Sequence, residues 1–151
     1  MTAVYDVREL ACAALFEVIK TVANFTTAVR KFETYEQVTT AARPALRWLE
    51  APNETRTKSF NGGPSFLEVN VQALIYWDAQ IAEGQIPATQ MNFLLASFDE
   101  KMRPNATTGR LDLGLFPAVQ DCYVEGEVFK DSGDMDGTGM IAVPIKLLLL
   151  P

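Results

Sequence analysis

Between positions 66 and 77 the chain alternates without a break. Leu67, Val69, Val71, Ala73, Ile75 and Trp77 fall on one side, and Glu68, Asn70, Gln72, Leu74 and Tyr76 on the other. A strict period of two over that length fits a long strand with one face in a core, because successive side chains of an extended chain point to opposite faces. A second such run closes the chain with Ile141, Val143, Ile145, Leu147 and Leu149. A sheet built on these two strands needs an apolar layer over its buried face.

Two stretches offer that layer. Over 4–32 the apolar positions are Val4, Val7, Ala11, Leu15, Val18, Val22, Phe25, Val29 and Phe32, in steps of three and four, while Glu9, Glu17, Lys20 and Arg30 lie off the stripe. That spacing predicts one long amphipathic helix. Met91, Leu94, Leu95, Phe98 and Met102 predict a second, capped by Thr89 and stopped by Pro104. After Pro44, the alternation of Leu46 and Trp48 with Ala45, Arg47 and Leu49 predicts a first strand over 45–49, with a polar loop over 50–65 that turns at Asn61-Gly62. Over 119–129, Cys122, Val124, Gly126 and Val128 alternate with Tyr123, Glu125, Glu127 and Phe129, and a glycine-rich connection over 131–139 leads into the last strand. The expectation is α+β in the order αββαββ: a four-stranded, mainly antiparallel sheet with a long N-terminal helix and a second helix packed on one face. One domain of 151 residues accommodates it.

Composition narrows the function. The chain is 48% hydrophobic and 21% charged, the profile of a folded protein. Its net charge of −6 opposes binding to the outside of DNA, which depends on clustered Lys and Arg. Histidine is absent, which removes Ser-His-Asp and Cys-His catalysis and the commonest general base at neutral pH, so the chain is not expected to be an enzyme. Cys12 and Cys122 sit among apolar neighbours and suit buried, reduced thiols. Asp6, Arg8 and Glu9 occupy the stretch where a secretory leader would be apolar. The apolar stretch over 140–150 is broken by Pro144 and Lys146 and is too short for a bilayer. These features predict synthesis in the cytoplasm, no membrane partner, and no use of the sequons at Asn24, Asn53 and Asn105.

The chemistry-bearing clusters each have a plain reading. Asp134 and Asp136 before Gly137 suggest a cation loop, but with Gly137 as the loop glycine the twelfth position is Val143, where a carboxylate is required. A solvated acidic turn, holding Asp131, Asp134 and Asp136, fits better. Glu125 and Glu127 share a strand face with Tyr123 and Phe129, which suits a partner-facing surface better than an acid–base pair. Asn61-Gly62-Gly63-Pro64 lacks the Gly-Lys-Ser/Thr ending of a phosphate cradle. Arg43, Arg47, Arg56 and Lys58 make 43–65 slightly basic in an acidic chain; ordinary surface is the plainer reading, and one side of a charge-complementary contact between copies is the alternative. No cofactor or metal is expected.

Four features together resemble the tail terminator proteins of long-tailed bacteriophages, the minor tail protein U-like family. They are the amphipathic opening helix leading to Pro44-Ala45-Leu46, "LLASFDEKMRP" over 94–104, "TGRLDLG" over 108–114, and "YVEGEVFKDSGDMDGTGMIAVPIKLLL" over 123–149. The resemblance spans nearly the full chain and departs from the family pattern at Arg47-Trp48 and in the length of the 50–65 loop. It implies an αββαββ protomer in a homohexameric ring at the head-tail junction of the virion. Such a ring caps the tail tube protein, stops its polymerisation, presents a surface to the head-side connector or neck protein, and lets DNA pass without specific binding. An acidic lumen would repel phosphate. The candidate interface or lumen residues are Arg47, Arg56, Lys58, Tyr76, Tyr123, Glu125, Glu127, Phe129, Asp131, Asp134 and Asp136; Tyr76, Tyr123 and Phe129 are chosen as exposed-side aromatics. A different class also fits, a small adaptor module docking one partner through its sheet edge.

Overall fold

The computed structural model describes residues 6–58, 61–62, 65–79, 84 and 86–151. Its elements in chain order are α1 (Val7–Ile19), β1 (Thr27–Ala28), a short 3-10 turn (Thr40–Ala42), β2 (Ala45–Thr57), β3 (Phe66–Asp78), α2 (Pro87–Lys101), β4 (Val119–Val124), β5 (Phe129–Asp131) and β6 (Thr138–Leu149). The sheet runs β1-β2-β3-β6-β4, with β5 also paired to β6. The expected class, α+β, is observed, but the expected four-stranded sheet with a long N-terminal helix is not. Six strands form a mixed sheet, because β1 joins β2 in parallel while the other pairings are antiparallel.

Three local causes account for the difference. First, α1 stops at Ile19. Thr21, Asn24, Thr26 and Thr27 are poor helix formers, and the Thr21 hydroxyl donates to the Val18 carbonyl at 2.6 Å, closing the last turn. The chain then follows the start of β2, the Thr26 N–H donating to Pro44 O at 2.8 Å and the Val29 N–H to Leu46 O at 3.1 Å. Position 4, the expected helix start, lies outside the described residues; Asp6 caps the observed one by accepting the Arg8 N–H at 2.9 Å.

Second, β2 continues through most of the expected polar loop to Thr57, with a register shift between Glu50 and Glu54 around Pro52. Proline is tolerated there because this stretch lies at the sheet edge. Gly63 and Pro64 of the expected turn lie outside the described residues.

Third, the strand expected over 119–129 is split. Pro144 in β6 has no N–H to give, and its carbonyl, which accepts the Glu125 N–H at 3.2 Å, points toward this edge strand. The edge chain detours at Gly126 (φ 109) and resumes as β5. In α2, Thr89 is not the cap: Ile86 is, and Pro87 opens the helix with its preset φ.

Both helices pack on one sheet face. Ala11, Cys12, Leu15, Phe16 and Ile19 from α1 and Met91, Leu94 and Phe98 from α2 meet the buried sides of β3 and β6 that alternation predicts. Phe16 and Trp48 meet edge-on with centroids 5.5 Å apart, worth about 1 kcal/mol beyond their buried area. Cys12 and Cys122 are buried free thiols, and desolvation pushes both up to about 12, so they stay protonated and unreactive at neutral pH. Among the described residues no helix is long and apolar enough to cross a membrane.

Candidate interaction surfaces

Among the described residues no α-helix packs on the opposite sheet face. A coil over 33–42 covers one end of it, where Val38, Ala45, Leu74 and Tyr76 form a second small core. This overturns the placement of Tyr76 as an exposed aromatic: it is 1% exposed and its hydroxyl donates to Glu33 O at 2.8 Å. Arg47, the register partner of Leu74, is buried under the same coil. Its Nε donates to Glu33 Oε1 at 2.7 Å, and its Nη1 to Thr27 Oγ1 at 3.1 Å and Leu46 O at 2.9 Å. Arg47 and Tyr76 thus staple the coil to the sheet and leave the set of surface candidates.

Arg47→Ala should cost about 3 kcal/mol in urea unfolding, since it removes one member of a buried, hydrogen-bonded pair. Arg47→Met should cost about half that, because the thioether refills the stem volume and the partly exposed Glu33 can turn to water. Indistinguishable midpoints for wild type and Arg47→Ala would show that the coil is held by something else.

The rest of this outer face stays open, and several sequence candidates meet there. Tyr123 lies opposite Lys146, and Phe129 opposite Ala142, so the detour at Gly126 leaves both rings on one side. Phe129 is 55% exposed and Tyr123 37%. Lys146 links the strands, its Nζ 2.8 Å from Glu125 Oε2 and 3.4 Å from Glu68 Oε2. The Glu125 hydrogen bond is the largest of the effects that hold the Lys146 ammonium above its usual range. Glu127 stands exposed in the link between β4 and β5.

The remaining candidates sit apart, at the two ends of the sheet. Asp131 ends β5, Asp134 and Asp136 lie in the turn to β6, and each accepts a local hydrogen bond: Gly133 N–H to Asp131 at 2.9 Å, Ser132 Oγ to Asp134 at 2.8 Å, and Thr138 N–H to Asp136 at 3.0 Å. Among the described residues no group of three or more His, Cys, Asp or Glu side chains is placed to hold a metal ion. Arg56 and Lys58 lie at the far end of β2 with Arg8 and Glu54. Arg8 grips Glu54 through two nitrogens at 2.7 Å and holds that carboxyl down at about 2.

Sequence reasoning missed one further surface. A groove of about 690 Å3 beside α2 is lined by Val22, Ile86, Phe93 and Leu94, with Ile86 68% and Phe93 70% exposed. The signal was Phe93 itself, an aromatic lying off the helical stripe of Met91, Leu94 and Phe98. No known family model matches the chain, and a search of curated proteins finds no match.

Proposed function

We propose that the chain is a structural protein of a bacteriophage virion, a tail terminator that closes into a ring on the tail tube. The observation that carries this is the open part of the outer face, where Phe129 and Tyr123 stand exposed with the Glu125–Lys146–Glu68 row beside them. Large exposed aromatics on a fixed sheet favour a partner surface, aromatic anchors being the usual centres of interfaces. The segments that resemble tail terminators are spread through the fold: the opening stretch includes α1 and the start of β2, 94–104 is the end of α2 and its exit, 108–114 lies between α2 and β4, and 123–149 runs from the end of β4 through β5 and β6, which bear this face. The tail tube protein and the head-side connector are its other partners, and the net charge of −6 per copy lets DNA pass through the lumen without adhering. No cofactor takes part.

Electron microscopy of the purified protein mixed with tail tubes tests this. The expected result is a capped tube end bearing a ring of about six copies, the number the resemblance implies, together with overlong, headless tubes when the gene is inactivated in its phage. Head-attached tails of normal length without the protein would refute the reading. A monomer in light scattering that binds one partner and never caps tubes would favour the adaptor.

A further inference from the structure

The two ends of the β3–β6 ladder are chemically opposite. Asp78 pairs with Thr138 at one end and Leu67 with Leu149 at the other, a ladder about 40 Å long at roughly 3.3 Å per residue. At the first end the β5–β6 turn projects Met135, 97% exposed, between Asp134 and Asp136. The turn is rigid. Gly137 N–H donates to Gly133 O at 2.9 Å, and Ala79 N–H donates to Gly137 O at 2.8 Å, tying the tip to the chain leaving β3. With the backbone of the tip already hydrogen-bonded, docking has to order little more than the Met135 side chain itself.

At the second end lies a cavity of about 330 Å3 with an apolar floor from Phe66, Leu67 and Pro151 and a rim bearing Arg8, Arg56 and Lys58. Arg8 is engaged by Glu54 at 2.7 Å and Asp6 at 3.4 Å. Arg56 is 73% exposed and pairs with Glu54 through one nitrogen at 3.1 Å, a carboxylate that Arg8 already holds through two nitrogens, so Arg56 can exchange this contact for another carboxylate. Lys58 makes no ion pair among the described residues. One unpaired and one exchangeable cation over an apolar floor complement two aspartates around a methionine.

We infer that the Asp134–Met135–Asp136 tip of one copy seats in the Arg56–Lys58 cavity of the next. Met135 fills the floor and the two aspartates face the two cations. The contact joins opposite ends of the molecule and is heterologous, the type that generates closed rings when its rotation closes. Only the number of copies in that ring rests on the function proposed above; the contact itself is a property of the purified chain.

Disulfide trapping tests it, with the buried native thiols left in place. Met135→Cys and Thr57→Cys, the latter on the cavity wall with both cations kept, are prepared separately, checked for native circular dichroism, and mixed under mild oxidation. The expected result is a mixed dimer forming about tenfold faster than either homodimer, with the preference lost at roughly 0.5 M salt, where ion pairs between exposed groups are screened. In wild-type cysteine background, Asp134→Lys/Asp136→Lys should weaken association, and adding Arg56→Glu/Lys58→Glu to the same chain should restore it. Equal trapping rates for mixed and like pairs would overturn the contact. Rings on tail tubes with equal trapping would discard this contact and leave the ring. Preferential trapping in a protein that never caps tubes would keep the contact and discard the terminator.

Discussion

Gly139→Ala is expected to unfold the protein or to cost at least about 3 kcal/mol, from a total that for a domain of this size is about 5–15 kcal/mol. Gly139 lies opposite Trp77 in the β3–β6 ladder, and the indole lies directly across its Cα. A methyl group added there would stand 2.5 Å from the indole Nε1 and closer still to two ring carbons, well inside any real contact. The ring has nowhere to go, because Trp77 is 1% exposed and is packed in the main core. Urea denaturation followed by tryptophan fluorescence measures the loss. A double-mutant cycle isolates the cause: Trp77→Leu alone opens a cavity, and in that background Gly139→Ala should cost almost nothing. Full stability of the single alanine variant would mean that the indole is not where the ladder places it.

Gly139 also marks the limit of what the sequence could tell. It read as loop glycine in a run holding Gly133, Gly137 and Gly139, and nothing local distinguishes a turn glycine from one that makes room for a tryptophan sixty-two positions earlier in the chain. The alternating faces of β3 and β6 were legible because one face is buried throughout, under α1, α2 and the 111–115 segment, so the core imposed an apolar residue at every second position. The opening stripe was legible as helix only to Ile19 and as burial only to Phe25, for its last two members, Val29 and Phe32, are 41% and 50% exposed. Val22 is buried and Phe25 packs against the core as the spacing suggests, yet β-branched and Asn residues carry that part of the chain out of the helix and along β2.

The end of β2 was missed for the converse reason. Glu54 and Arg56 alternate with Thr55 and Thr57 as strand residues do, but Glu54 meets the start of α1 through the Arg8 ion pair and Arg56 pairs with Glu54, so a hydrophobic pattern could not reveal them. Tyr76 and Arg47 were placed on the surface because their own strands show nothing of the coil over 33–42 that covers them. Among the interface candidates, Tyr123, Glu125 and Phe129 could be grouped from alternation alone, whereas the cavity that Arg56 and Lys58 border depends on residues from α1, β3 and the last residue of the chain.

Ile145→Asp is expected to have an effect as large as that of Gly139→Ala, and it tests the assignment of sheet faces. Ile145 is 1% exposed in the middle of β6, with Val71 opposite it on β3 and Val124 on β4, under the apolar sides of both helices. A carboxylate placed there has no solvent, so the folded state holds it as the neutral acid and its pKa rises above the unfolded value of about 3.9. Burying even the neutral group without a partner, added to the lost isoleucine packing, costs more than about 4 kcal/mol. The sign of the pH dependence follows. The unfolded chain loses this proton near pH 4 while the folded chain keeps it, so the penalty is smallest below that pH and grows as pH rises. Measured against wild type, the variant should therefore recover stability between pH 7 and about pH 4.5. Gln72→Asp, exposed on the outer face next in sequence to Val71, should change stability by less than about 0.5 kcal/mol and show no such recovery. If the two variants behaved alike, or if Gln72→Asp were the damaging one, the helices would cover the other face, and Tyr123 and Phe129 would be core residues with no role in a ring.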